Sequence, residues 1–238
     1  QSYFLDVPVL TAIAEYFGPT LSLAILAQVV SLVFAIPMGM LAAYKRGTAV
    51  DLATVSISLL GTAIPGFLLS MFFMLFFGVY LQWLPVAGYA PMAQGLGEHL
   101  RYLALPALSL GVVQAAYITR MTRSALLDVL YKNYIRTARA KGLRESAILF
   151  GQALKNAAPT ILTVVGQSFG SLVTGTIVTE TIFNIPGLGM LTMSSINQRD
   201  VFVIQGVVLF VTVIYVLVNL AVDILYGLVD PRIQLGRQ

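Results

Sequence analysis

Apolar and polar positions alternate along this chain in long blocks, not in short periods. Five apolar stretches stand out, at about 20–44, 52–80, 102–119, 159–183 and 202–229. Each approaches or exceeds the roughly 20 residues that a helix needs to cross a bilayer, the third being the shortest. Such helices satisfy their own backbone hydrogen bonds, as hydrocarbon demands. A membrane β-barrel would show segments of about ten residues with alternating polarity. The run at 68–77, LLSMFFMLFF, does not alternate, so an all-α polytopic transmembrane bundle with about five spans in this chain is expected. Residues 1–18 mix apolar and polar positions over too short a length to span. They predict an interfacial helix, ended by Gly18-Pro19.

Composition agrees with the pattern. Hydrophobic residues make up 58% of the 238 positions and charged residues 10%, against about 25% charged in a soluble domain. The net charge is +4, and its placement matters more than its size. Of the fourteen Lys and Arg, all but Arg101 and Arg199 fall on one side of the expected spans. That side should be the cytoplasm, which puts the C-terminus inside. The membrane accounts for the basic balance without nucleic acid as a partner. Trp83, Tyr89 and Tyr102 flank or occupy the outer loop 81–101 and suit the headgroup level. No linker or internal repeat divides the chain, so 1–238 reads as one domain.

Catalytic chemistry has no carrier. There is no phosphate-binding loop of the G-x-x-x-x-G-K-[ST] type. Cysteine is absent and His99 is the single histidine, which excludes thiolate chemistry and His- or Cys-rich metal sites. His99 lies in the outer loop, where an exposed side chain is expected.

The longest polar stretch is 123–158. Residues 125–141 suit a helix whose last turns carry Arg136, Arg139 and Lys141, cations favoured at a helix C-terminus. Gly142 follows, where a left-handed cap belongs. A second helix is expected over 145–157, with Pro159 opening the fourth span. The physics leaves two readings open. This helix–glycine–helix corner either lies on anionic lipid or docks a partner.

Two spans carry polar faces. In the fourth, Thr163, Gln167, Ser171 and Thr174 recur at spacings of three or four, together with Thr160 and Gly170. They either line a solute pathway or serve close helix packing, with Gly166 and Gly170 four apart. In the fifth, Gln205, Thr212, Asn219 and Asp223 share a face. Asp223 sits near the inner end, where pairing with Arg120 or Arg123 is the ordinary role and a proton relay the alternative. At the outer end of span four, Glu180, Pro186, Gly187 and Gly189 belong to a bend. It reads as an outer mouth, a contact for a substrate-delivering protein, or a structural turn.

Several motifs carry a resemblance. The segment 134–143, YIRTARAKGL, is similar to the cytoplasmic signature of ABC importer permeases. The B-type subunit of the dipeptide, oligopeptide and nickel importer family shares it most fully. LLGTAIPGF at 59–67, WLPV at 83–86, ETIFNIPGLG at 180–189, NLAVDILY at 219–226 and DPRI at 230–233 match that family in the right order. The general signature begins Glu-Ala-Ala where this chain has Arg136-Thr137-Ala138, a substitution typical of the peptide branch.

The resemblance implies a type I permease fold in a bacterial inner membrane, with a further N-terminal span preceding the present chain. It implies that Tyr134, Arg136, Thr137, Ala138, Arg139, Ala140, Lys141, Gly142 and Leu143 form a coupling helix. Its implied partners are two ATP-binding subunits, a second homologous permease and an extracytoplasmic solute-binding protein. ATP and Mg would be bound by the ATP-binding subunits, with no cofactor in this chain. Peptide is the default cargo, with nickel chelates and glutathione as alternatives. From a different class, a self-sufficient secondary transporter would need a midplane ion site. A membrane scaffold without transport would leave the polar stripe of span four unexplained.

Overall fold

The computed structural model describes Ser2, Phe4 and residues 6–229, and among these the secondary structure is entirely helical. The basic tail residues Arg232 and Arg237 and the DPRI motif lie outside the described residues. Four helices are long and apolar enough to cross a membrane: Val9–Tyr44 (α1), Leu96–Leu130 (α4), Glu145–Gly175 and Val201–Leu225. A fifth apolar unit is a bent helix pair. Ala49–Ala63 (α2) and Gly66–Phe73 (α3), the latter continuing through a π-helical turn at Met74–Tyr80, meet at 97°. The break falls at Ile64-Pro65 in place of a continuous span over 52–80. Proline crowds the residue before it out of the helical region, and Ile64 is extended at φ −79°, ψ 123°.

Proline does not break the other helices where the sequence suggests it. Helix α1 runs through Gly18-Pro19 for 36 residues, so the interfacial helix expected over 1–18 is instead the first third of a membrane-length helix. Pro19 is buried against the bundle, and spanning helices tolerate such a residue because neighbours compensate for the lost bond. Likewise Pro159 does not open a span. It sits inside Leu154–Gly175 (α7), continuous with the short helix Glu145–Ala147 (α6) through a π-helical segment at Ile148–Ala153. The third span also runs well beyond 102–119, from Leu96 to Leu130.

Small residues set the packing. Along α1, Ala24, Ala27, Ser31, Ala35, Gly39 and Ala42 are buried at helical spacing, and α4 runs parallel to α1 along that seam, Gly111 against Ala27 and Val30 and Thr119 and Thr122 against Gly39. A Cβ at Gly39 would sit 2.7 Å from Thr122 Cβ, a closeness only glycine permits. Without a hydrophobic force between helices in lipid, such close approach supplies the attraction. Between α7 and Val201–Val229 (α10), Gly166 faces Val222 and Gly170 faces the Tyr215 ring. Two crossing elements complete the chain: Asn133–Ala140 (α5) at the basic end, and Ile177–Phe183 (α8) with Leu188–Gln198 (α9) at the other.

His99 departs from its expected exposure. It is 2% exposed, its Nδ1 lies 2.7 Å from the Ala90 carbonyl oxygen, and its ring stands edge-on to Tyr89. The carbonyl can only accept, so Nδ1 carries the proton. The loop at 81–95 folds back over the start of α4 and this imidazole fastens it there.

Candidate functional site: the basic corner and the polar face of α7

Helix α4 ends at Leu130, earlier than the single helix expected over 125–141. The chain turns at Tyr131-Lys132, and α5 follows as a separate helix of eight residues. Its periodicity sorts three sides. Ile135 and Ala138 are buried with Ile148 and Leu130 in a small apolar cluster. Arg136 and Arg139, three apart, line a cleft beside the bundle. Asn133, Thr137 and Ala140 are exposed and lie opposite the buried pair. Full burial of Ile135 contributes on the order of 2 kcal/mol. Helix α5 is thus a short arm fastened by few contacts.

Its end is defined sharply. Gly142 adopts φ +79°. The Leu143 amide donates to the Ala138 carbonyl at 3.2 Å and the Gly142 amide to the Arg139 carbonyl at 2.9 Å. These two bonds make a Schellman cap, which needs a left-handed residue. A Cβ at Gly142 would meet nothing within 4 Å, so conformation alone calls for glycine there. Across the corner, Arg139 grips Glu145 with Nε to Oε1 at 2.7 Å and Nη2 to Oε2 at 3.2 Å. The Glu145 carboxylate holds the Arg139 guanidinium above its ordinary pKa. Both side chains are more than two-fifths exposed, so the pair is worth about 0.2–1 kcal/mol. Tyr134, Lys141 and Leu143 are exposed beside them.

A firmer contact anchors the neighbouring turn. Asp51, at the start of α2, accepts from Arg123 Nε at 2.6 Å and Nη2 at 2.8 Å, and from the Gly47 amide at 3.0 Å. Its side chain is 8% exposed. Arg123 is therefore committed to Asp51 and not to Asp223. Asp223 is exposed on α10, and no ion pair involves it among the described residues. The sequence held no local sign of this pairing, because 72 positions separate the partners.

The α7 face separates into two. Gly166 and Gly170 turn toward α10, whereas Thr163, Gln167, Ser171 and Thr174 are all exposed. Ser171 Oγ accepts a hydrogen bond of 2.8 Å from Gln114 Nε2 of α4, a residue the sequence did not single out. Behind them, Ser168 Oγ donates to Gln28 Oε1 at 3.3 Å. Uncharged polar groups thus run along an open side of an apolar helix.

The bend at 180–189 is built inward. Glu180 is fully buried. Its oxygens accept from the hydroxyls of Thr20 and Thr176, each at 2.7 Å, and from the amides of Gly189 at 2.7 Å and Met190 at 3.1 Å. Thr20 Oγ1 also accepts from the Leu188 amide. The first N–H groups of α9, orphaned in any helix, are thereby satisfied. Gly187 and Gly189 are buried against the Glu180 carboxyl, where a Cβ would collide. Of the four residues expected at an outer mouth, Pro186 alone is exposed. Of the readings open for this bend, the structural turn accounts for Glu180, Gly187 and Gly189: they are the interior of a turn, held by a carboxyl group on which four donors converge.

Comparison with known proteins now fits this geometry. The family described as binding-protein-dependent transport system inner membrane component matches residues 35–235. The chain is 42% identical over 233 residues to the probable peptide ABC transporter permease protein y4tP of Sinorhizobium fredii, covering 98% of this chain and 74% of that one. It is 39% identical to the di/tripeptide transport system permease protein DppB of Pseudomonas aeruginosa (92% and 71% covered). It is equally identical to the glutathione transport system permease protein GsiC of Shigella flexneri (95% and 72%). Among solved structures, the inward-facing MetNI methionine ABC transporter superposes with a TM-score of 0.76 at 20% identity, over 95% of this chain and all of that one. That likeness fixes the fold. The chain belongs to the binding-protein-dependent transport system inner membrane component family and is a permease subunit of an ATP-driven importer.

Proposed function

We propose that this permease carries peptides, that residues 134–143 receive the stroke of an ATP-binding subunit, and that the exposed face of α7 lines the path. The observation that carries the coupling role is the division of α5: one buried edge at Ile135 and Ala138, and a free face at Asn133, Thr137 and Ala140. A helix so lightly fastened presents its outer surface to a partner and passes displacement through Leu130 and Ile148 to α4 and α7. The permease works as one of a pair, with two ATP-binding subunits and an extracytoplasmic binding protein. ATP and Mg belong to the ATP-binding subunits, which hydrolyse the nucleotide. The basic end, and with it the C-terminus, faces the cytoplasm. ATP favours one of two arrangements of the permease pair by differential binding, and the solute path opens to each side in turn.

Peptide cargo rests on the relatives named for peptide transport and on the chemistry of α7. Exposed hydroxyls and amides within a membrane span are costly against lipid. They suit a hydrated solute rich in amide groups, and they carry no charge that would select among peptide side chains. The absence of native cysteine makes a direct test available. Thr137→Cys in the assembled importer should cross-link to a cysteine placed in the groove of the ATP-binding subunit. Gln167→Cys and Ser171→Cys should react with a water-soluble thiol reagent. Failure of the cross-link in an assembled, ATP-hydrolysing complex refutes the coupling role. Complete protection along the whole stripe refutes the lining role.

A further inference from the structure

A cleft of about 670 Å³ opens between α5 and the bundle at the basic end. Its position follows from where helices stop: α1 ends at Tyr44, α4 at Leu130, and the α6–α7 helix begins at Glu145. The deep wall is apolar, with Ala43, Leu127, Leu130 and Leu149. The rim carries Arg46, Arg136, Tyr44 and Tyr131. The Arg46 guanidinium lies 4.8 Å from the centre of the Tyr131 ring. Arg139 and Glu145 also line the cleft and neutralise each other, while Asp51 is committed to Arg123. Arg46 and Arg136 therefore face the cleft with no ion pair among the described residues, and their charges add.

We propose that this cleft seats an anionic phospholipid, its phosphate between Arg46 and Arg136 and an acyl chain against Leu127, Leu130 and Leu149. The proposal rests on the reading that this end faces the inner leaflet. Apolar depth with a doubly basic, tyrosine-bearing rim at the ends of three membrane helices is the chemistry that holds a lipid headgroup. A free phosphate would use the rim and leave the apolar wall wet. The lipid would lie against the Arg136–Arg139 flank of α5, leaving the Asn133–Thr137–Ala140 face to the ATP-binding subunit, and would brace the arm from behind.

The test is native mass spectrometry of the assembled importer, equilibrated with equal phosphatidylglycerol and phosphatidylethanolamine. The wild type should retain phosphatidylglycerol preferentially. Arg46→Gln should reduce that retention about fivefold, as expected for one basic group near a lipid surface. Lys155→Gln, on the exposed start of α7, should not change it. Arg46→Lys, which keeps the charge, should retain the lipid and serves if Arg46→Gln does not assemble. Equal retention of both lipids by the wild type overturns the proposal, and so does unchanged retention in Arg46→Gln. Displacement of the lipid by millimolar inorganic phosphate would assign the site to free phosphate. Loss of the ATP-binding subunits from Arg46→Gln in lipid-free detergent would assign the cleft to that partner. A failed Thr137→Cys cross-link with lipid retention intact refutes coupling and leaves this site standing.

Discussion

The two ends of the bundle solve the same problem in opposite ways. Each has a short helix, a glycine corner and an acid beside it. At the Glu180 end the acid is buried, four donors converge on it, and glycines are required because the carboxyl group occupies the space a Cβ would take. At the Gly142 end the acid, Glu145, is substantially exposed and holds one arginine, and glycine is required only by its dihedral angle, in open space. One corner is locked from every side and the other is held along a single edge. On the proposed coupling role, motion enters at the Gly142 corner: an element that transmits displacement is drawn from the weakly fastened end of the stability range, with the firmly held Glu180 corner as its counterpart.

Substitutions can break this contrast. The largest effect is expected at Glu180. Glu180→Ala leaves two buried hydroxyls and the α9 amides without their acceptor. Each buried donor left unsatisfied costs about 1–3 kcal/mol, so assembly should fail or the melting temperature of the purified complex should fall sharply. A complex as stable as the wild type would remove the locked half of the contrast. Asp51→Asn comes next. It weakens a bidentate contact to a largely buried guanidinium and should cost about 1–3 kcal/mol, read as a smaller melting shift with assembly preserved. Glu145→Gln is expected to matter least for stability, by less than about 1 kcal/mol, because the pair is exposed and screened. A shift as large as that of Asp51→Asn would mean that the corner is firmer than its exposure indicates.

The sequence made the Gly142 corner legible because every determinant is local. Arg139, Lys141 and Gly142 lie within one helical turn and its cap, and left-handed glycine follows from that order alone. The apolar blocks also located the crossings. Their ends were less legible, for a physical reason. Pro19 and Pro159 suggest helix boundaries in water, but in a bundle the neighbouring helices absorb the missing bond, and both helices continue. Pro65 does break its helix, where the preceding Ile64 leaves the helical region. Long-range pairs were invisible. Glu180 meets Thr20 across 160 positions, Asp51 meets Arg123 across 72, and Gln114 meets Ser171 across 57. No local spacing announces such partners.

The central claim is that the Gly142 corner transmits the work of ATP hydrolysis. Gly142→Val tests it most directly, since a Cβ there meets nothing within 4 Å and its main cost is backbone strain of about 1–3 kcal/mol. The measurement is the ratio of peptide taken up to ATP hydrolysed by the reconstituted importer with its binding protein. Uptake should fall by about tenfold or more, as a lost coupling energy of 1.4 kcal/mol implies, while the complex assembles and hydrolyses ATP without stimulation by substrate. Normal uptake with normal substrate-stimulated hydrolysis in that variant would contradict the account.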